Sequence, residues 1–241
     1  MNRRTALHIG FVTGLLFGTG SSAASTSPQR AGPQVVPPDR RIEGKTYAEW
    51  SAAWGQWSSA LPAVDGHPFL CDSYFDVTLG QSGRVWFLAT PLLTCQQTIS
   101  IPAGTLLFMP MIVAGTSSLE QPPFFGCTAD EQLAAAKSLA DLIRHPFLEI
   151  DGVALRHVDR YRFASPQFDI ALPVPNVNGV EAGRFAPCSP SRPPMVGTSV
   201  GDGYWAMIRP LSPGHHTIRL GGSFPSFGIS IDTTYFVTVI P

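Results

Sequence analysis

The stretch from Gly201 to Gly222, GDGYWAMIRPLSPGHHTIRLGG, constrains the chain more than any other, because it spells out two strands and a turn. Tyr204 to Leu211 is aromatic and aliphatic with no polar face, which places it in the middle of a sheet. His216, Ile218 and Leu220 alternate with His215, Thr217 and Arg219, the pattern of a half-buried strand. Ser212-Pro213-Gly214 reads as the turn between them, and Gly201, Gly203, Gly221 and Gly222 as punctuation at the far ends. The reading predicts a hairpin that sets Asp202 level with Gly222 and Ser223.

Strand signals recur along the chain. They fall near Tyr74 to Leu79, at Val85 to Ala89, Thr98 to Ile101, Thr105 to Val113, Phe147 to Ile150, Val153 to His157, Tyr161 to Phe163 and Phe168 to Leu172, and in a last strand through Ile229 and Val239. Pro110 lies inside an apolar run and cannot donate to a ladder, so a bulge or an edge is expected there. Asp151-Gly152 has the signature of a type I′ turn. Thr46-Tyr47-Ala48-Glu49 and Thr128-Ala129-Asp130-Glu131 are capping boxes, and they predict helices over about 47–60 and 129–144, with Arg144 and His145 at the second helix's C-terminal end. Tyr47, Trp50, Trp54, Trp57 and Leu61 share an arc of roughly 80° on the first helix. A stripe of this kind either stacks on sugars or packs on a sheet; the cost of exposing three tryptophans in line favours packing. Twenty-three glycines and 23 prolines suit many short strands joined by tight turns. The expected fold is mainly β: a single-domain β-sandwich, jelly-roll-like, with two accessory helices.

Residues 1–24 read as a signal peptide: Arg3-Arg4, an apolar run from Ile9 to Phe17, and small residues up to a cleavage point near Ala24. The Arg3-Arg4 pair partly matches a twin-arginine signal, with Ala6 in place of the expected Phe. A run of about 10 apolar residues is too short to span roughly 30 Å of hydrocarbon. Residues 25–42 are Pro-rich and read as a leader, and 43–241 as the folded domain. The expected location is secreted or periplasmic. There an oxidising compartment lets Cys71, Cys95, Cys127 and Cys188 pair in one of three ways. We expect Cys71 with Cys95 and Cys127 with Cys188, each closing its own stretch and contributing roughly 3 to 4 kcal/mol in the loop-entropy model. A zinc site needs close Cys or His spacing, and nothing of the C-x-x-C kind is present, so no metal is expected, nor a cofactor. Net charge −1, with Lys and Arg scattered, offers no footprint for nucleic acid.

Two groups of residues are candidates for chemistry. Gly197-Thr198-Ser199-Val200-Gly201 fits G-x-S-x-G, although a Pro-rich loop precedes it and a strand follows, not the strand-turn-helix that a serine nucleophile needs. If the hairpin pairs as read, loops 187–202 and 221–228 share one end, where Ser199, Asp202, Ser223 and Ser226 collect as ligand-binding candidates. His215 and His216 fall at the opposite end, which disfavours a triad with Ser199 and Asp202, and His216 reads as a core histidine. The second group is Asp65, Asp72 and Asp76, close to Cys71 and His67, where carboxylates could perform acid/base work; they match no calcium-loop spacing.

Through GKTYAEWSAAWGQW (44–57), GQSGRVWFLA (80–89), IPAGTLLFMP (101–110) and DGYWAMIRPLSPGHHTIRLGG (202–222), the chain resembles a group of secreted bacterial β-rich proteins to which no activity is assigned. That resemblance implies one exported β-rich domain and carries no functional residues. The expected function is binding of a carbohydrate or cell-envelope polymer by the sandwich's end loops. The alternatives are a hydrolase or lyase on such a polymer, through Ser199 and Asp202 or the Asp65 to Asp76 loop, and a structural or partner-protein role.

Overall fold

The computed structural model describes residues 34–71, 76–181, 188 and 195–241. The signal-peptide reading and Asp72 lie outside them. Two helices, α1 (Tyr47–Ala60) and α2 (Ala129–Ala140), accompany ten strands: β1 (Val85–Phe87), β2 (Thr94–Pro102), β3 (Leu106–Ser117), β4 (Arg144–Ile150), β5 (Val153–Ala154), β6 (Arg162–Ala164), β7 (Phe168–Ala171), β8 (Val196–Ile208), β9 (Gly214–Phe224) and β10 (Ile229–Ile240). One sheet runs β1-β3-β8-β6, with β7 also on β8; the other runs β2-β10-β9-β4-β5. The chain is thus a β-sandwich, of mixed type: β1 pairs with β3 and β2 with β10 in parallel, the other pairs being antiparallel. Both expected disulfides, Cys71–Cys95 and Cys127–Cys188, are present.

Both capping boxes form, each Thr side chain accepting from the N3 backbone while the N3 Glu reaches back. The aromatic stripe of α1 packs inward on the first sheet. Trp50, Trp54 and Trp57 are buried, and each indole N–H finds a carbonyl: Ile42 at 2.9 Å, Leu88 at 2.8 Å and Leu79 at 3.0 Å. Tyr47 Oη donates to the Val36 carbonyl at 2.6 Å and accepts from Met207 N at 3.1 Å, which stitches the helix to β8. Gly55 makes the docking close, since a Cβ there would lie 2.3 Å from the Phe168 ring. Val35, Val36 and Ile42, within the stretch read as a leader, are buried in the same core. Val35 bridges to Ile208.

The hairpin reading is corrected. β8 and β9 lie in different sheets, and Arg209 to Pro213 carries the chain from one to the other. Each strand's own pattern was informative: β8, apolar on both faces, sits between β3 and β6 with layers on both sides, while β9 alternates as an outer-sheet strand should. What failed was the assumption that a short link means pairing. With Pro210 and Pro213 withholding backbone donors, the link crosses the sandwich instead. β8 also begins at Val196, so Gly197, Gly201 and Gly203 are interior to it. Gly203 is needed there, because a Cβ would lie 2.4 Å from the Ile112 carbonyl oxygen of β3.

Smaller differences have local causes. α2 stops at Ala140, four residues short of the expected end. Arg144 opens β4 yet still serves the helix terminus, its guanidinium donating to the Asp141 and Ile143 carbonyls at 2.8 Å. His145 is no cap: at φ 52° it belongs to an irregularity between Arg144 and Phe147. Of the strand expected near Tyr74 to Leu79, Tyr74 and Phe75 lie outside the described residues, and Val77 to Gly80 forms a turn. The bulge expected at Pro110 occurs between Pro110 and Ile112, and Asp151 and Gly152 both have positive φ, as a type I′ turn requires.

Candidate functional site

Where β3 ends at Ser117, the chain enters a Pro-rich loop that the structure holds firmly. Ser117 N bonds the Phe124 carbonyl at 3.0 Å, Gly126 N bonds the Ser117 carbonyl at 3.2 Å, and Ser118 N bonds the Thr198 carbonyl of β8 at 2.9 Å. Opposite stands the turn 176–180. Asn176 braces it, its Nδ2 donating to the Pro173 and Val180 carbonyls and its Oδ1 accepting from Val180 N. Leu119 and Val180 meet in a small apolar cluster with Ile170 and Leu172, which fixes the two walls against the first sheet. Between the walls is a cavity of about 370 Å³, lined on one side by residues 119–124 and on the other by 178–181. That volume falls within the range of small-molecule sites.

The lining combines acids, amides and an aromatic ring. Glu120 is half-buried and its Oε2 accepts from Ser117 Oγ at 2.8 Å, with the Asn178 side chain supporting it from the other wall. Burial pushes the Glu120 carboxyl above the usual range, and the bonds from Ser117 and Asn178 offset only part of that. Gln121 and Glu181 add a second amide and a second carboxyl. Phe124 is 38% exposed and lies 5.9 Å from Phe227, itself 41% exposed; Phe227 packs edge-on against Phe224 at 6.2 Å. The result is an aromatic ridge along a polar cavity, able to hydrogen-bond hydroxyls and to stack against an apolar ring face. No group of metal-binding side chains occurs among the described residues.

A second constellation has the outline of a catalytic triad. Ser212 Oγ lies 3.2 Å from His216 Nε2, and His216 Nδ1 lies 2.8 Å from Asp151 Oδ2. However, Nε2 also faces the Ser212 carbonyl at 2.9 Å, so both ring nitrogens meet acceptors. Burial alone would lower the His216 pKa; the bonds to Asp151 and Ser212 outweigh it and raise it. A ring that donates from Nε2 to that carbonyl has no lone pair there to take the serine proton. This group is a clamp, in which Asp151 Oδ1 also accepts from Thr217 N at 2.9 Å. His216, expected in the core, is half-buried at the mouth of the inter-sheet link.

The residues singled out from sequence do not assemble. Ser199 and Asp202 are three apart on β8 and so project to opposite faces. Ser199 Oγ donates to the Thr116 carbonyl at 2.8 Å, in a strand flanked by β3 and β7, with no nucleophile turn. Asp202 is 3% exposed and grips Arg162 through Nε at 3.3 Å and Nη2 at 2.8 Å, while Arg162 Nη1 bonds Asp141 at 2.7 Å. Asp202 raises the Arg162 pKa still further, and the pair ties β6, β8 and the end of α2 together. Ser223 Oγ points at the Arg144 carbonyl, 3.4 Å away, in the other sheet. Ser226 is exposed beside Phe227. Asp65 is exposed, and Asp76 Oδ1 accepts from Thr78 N at 2.9 Å and Thr78 Oγ1 at 2.6 Å, which lowers its pKa.

Sequence reasoning passed over the loop that lines this cavity, Leu119 to Phe124. Its signal was there in Glu120-Gln121-Pro122-Pro123-Phe124: an acid, an amide and an aromatic residue in a turn too Pro-rich for strand or helix. No family model, no curated protein and no solved structure matches the chain.

Proposed function

We propose that the protein binds a carbohydrate or another envelope polymer in the cavity between residues 119–124 and 178–181. The observation that carries this reading is the convergence of Glu120, Gln121, Asn178 and Glu181 on a cavity of about 370 Å³ whose lining includes the exposed Phe124, a ring that in turn packs near Phe227. Carboxyl and amide groups recognise hydroxyls, and the rings cover the apolar face of a sugar. The reading is supported by the signal-peptide pattern of residues 1–24 and by two disulfides, which suit an oxidising compartment, and no described helix is long and apolar enough to cross a membrane. The test is affinity electrophoresis against a panel of soluble polysaccharides. At least one binds, and the double substitution Phe124→Ala with Phe227→Ala weakens it at least about tenfold, as loss of stacking contacts does. The melting temperature stays within a few degrees, since both rings are exposed. Absence of binding across the panel refutes the reading.

A hydrolase acting on such a polymer is the second reading, favoured by the presence of two carboxyls, Glu120 and Glu181, on one cavity. A carboxyl whose pKa is raised by burial is suited to protonating a leaving glycosidic oxygen while a second carboxylate takes a proton from water. Release of reducing ends on prolonged incubation, abolished by Glu120→Gln, distinguishes it from binding alone.

A further inference from the structure

We infer that the preferred occupant of the Glu120 cavity is cationic: a polymer of amino sugars with free ammonium groups, in preference to neutral, acetylated or acidic chains. The inference rests on the carbohydrate reading above and narrows its ligand class. Glu120 is half-buried, and the partners it has are neutral: Ser117 Oγ at 2.8 Å and the Asn178 side chain. Among the described residues, no Lys, Arg or His lines the cavity.

The other conspicuous carboxylates in the fold have cations. Asp202 holds Arg162, Asp151 holds His216, and Asp232 holds Arg219. Among the described residues Glu120 differs from them in being withdrawn from water with only neutral partners, and burial accordingly pushes its carboxyl up. An ammonium group entering the cavity supplies the missing countercharge and favours the ionised acid. A uronate, sulfate or phosphate would bring a second negative charge into the same partly desolvated space. The aromatic ridge of Phe124 and Phe227 fits the same ligand, because a cationic sugar face is attracted to a π surface as well as covered by it.

The experiment is calorimetric titration of the full chain with three oligosaccharides of equal length: glucosamine, N-acetylglucosamine and galacturonate, in mildly acidic buffer at low and high salt. The glucosamine oligomer should bind at least about tenfold more tightly than the acetylated one, the effect of a single close charge pair in a partly screened site. High salt should shrink that ratio, and Glu120→Gln should bring it near one. The ratio should also fall as the pH drops through the raised Glu120 pKa, because the neutral acid has no charge to offer. Equal or tighter binding of the acetylated or acidic oligomer, or a preference that survives Glu120→Gln, overturns the inference while leaving a carbohydrate site in place. Failure of all three, together with failure of the wider panel, overturns the site itself.

Discussion

Replacing Trp54 by Ala tests the packing logic at its centre. The side chain is 6% exposed, wedged between Trp57 at 6.2 Å, Phe69 at 5.6 Å and Trp205 at 5.3 Å, and its N–H satisfies the Leu88 carbonyl. Truncation leaves a cavity beside two indoles, Trp57 and Trp205, that are pinned by hydrogen bonds of their own, so collapse is limited and the cost is about 3 to 5 kcal/mol. At about 2 to 4 °C per kcal/mol for a domain of this size, the melting temperature should fall by about 6 to 20 °C. Guanidinium titration should show a lower midpoint at unchanged m-value, and the parent's tryptophans should resist a soluble quencher. Trp54→Phe separates the terms: it keeps most of the ring and loses the donor, and should cost about 1 to 2 kcal/mol. A soluble Trp54→Ala protein with an unchanged midpoint, together with quencher-accessible tryptophans in the parent, would show that α1 does not lie on the sheet.

Asp202→Asn strands the Arg162 guanidinium beside a neutral amide, and chemical denaturation should register a loss of about 2 to 4 kcal/mol; a neutral result would mean that Asp141 alone satisfies Arg162. The His216 clamp gives stability a pH dependence of definite sign. Because its pKa is higher folded than unfolded, its contribution is complete below the unfolded value of about 6.5 and disappears as pH rises through the folded value. NMR titration of the ring should show the raised pKa, and Asp151→Asn should lower it; an unshifted histidine would mean the clamp is open in solution.

How much of this was legible in the sequence depends on what each residue reports. The helix starts were, because a capping box is a local contract between Thr46 and Glu49 that no distant contact overrides. So was the inward stripe, since three tryptophans in line have few other places to go. Sheet membership was not: the apolar run of β8 and the alternation of β9 are local facts, but which strand each pairs with depends on residues far along the chain, such as Ala114 beside Asp202 and Asp232 beside Gly221. The misplacement of Asp202 at a loop end followed from that one. A charged residue between glycines reads as a loop, and only the arrival of Arg162 from β6 explains why it is buried. The cavity needed two segments, 119–124 and 178–181, whose proximity is set by the register of β3, β7 and β8.

The parallel pairing of β2 with β10 bears on the order in which the molecule can be made. Thr94 waits for Asp232, and Ile101 for Val239, so among the described residues this early strand has no partner strand until the last one exists. During synthesis β2 can already be cross-linked through Cys95 to Cys71 while its inward face, Ile99 and Ile101, still has no sheet to join. Closing so long a loop is slow, and the unpaired strand is a template for neighbours in the meantime. A chain halted before residue 229 should therefore carry its first disulfide and yet aggregate, and addition of β10 should be the step that makes it soluble.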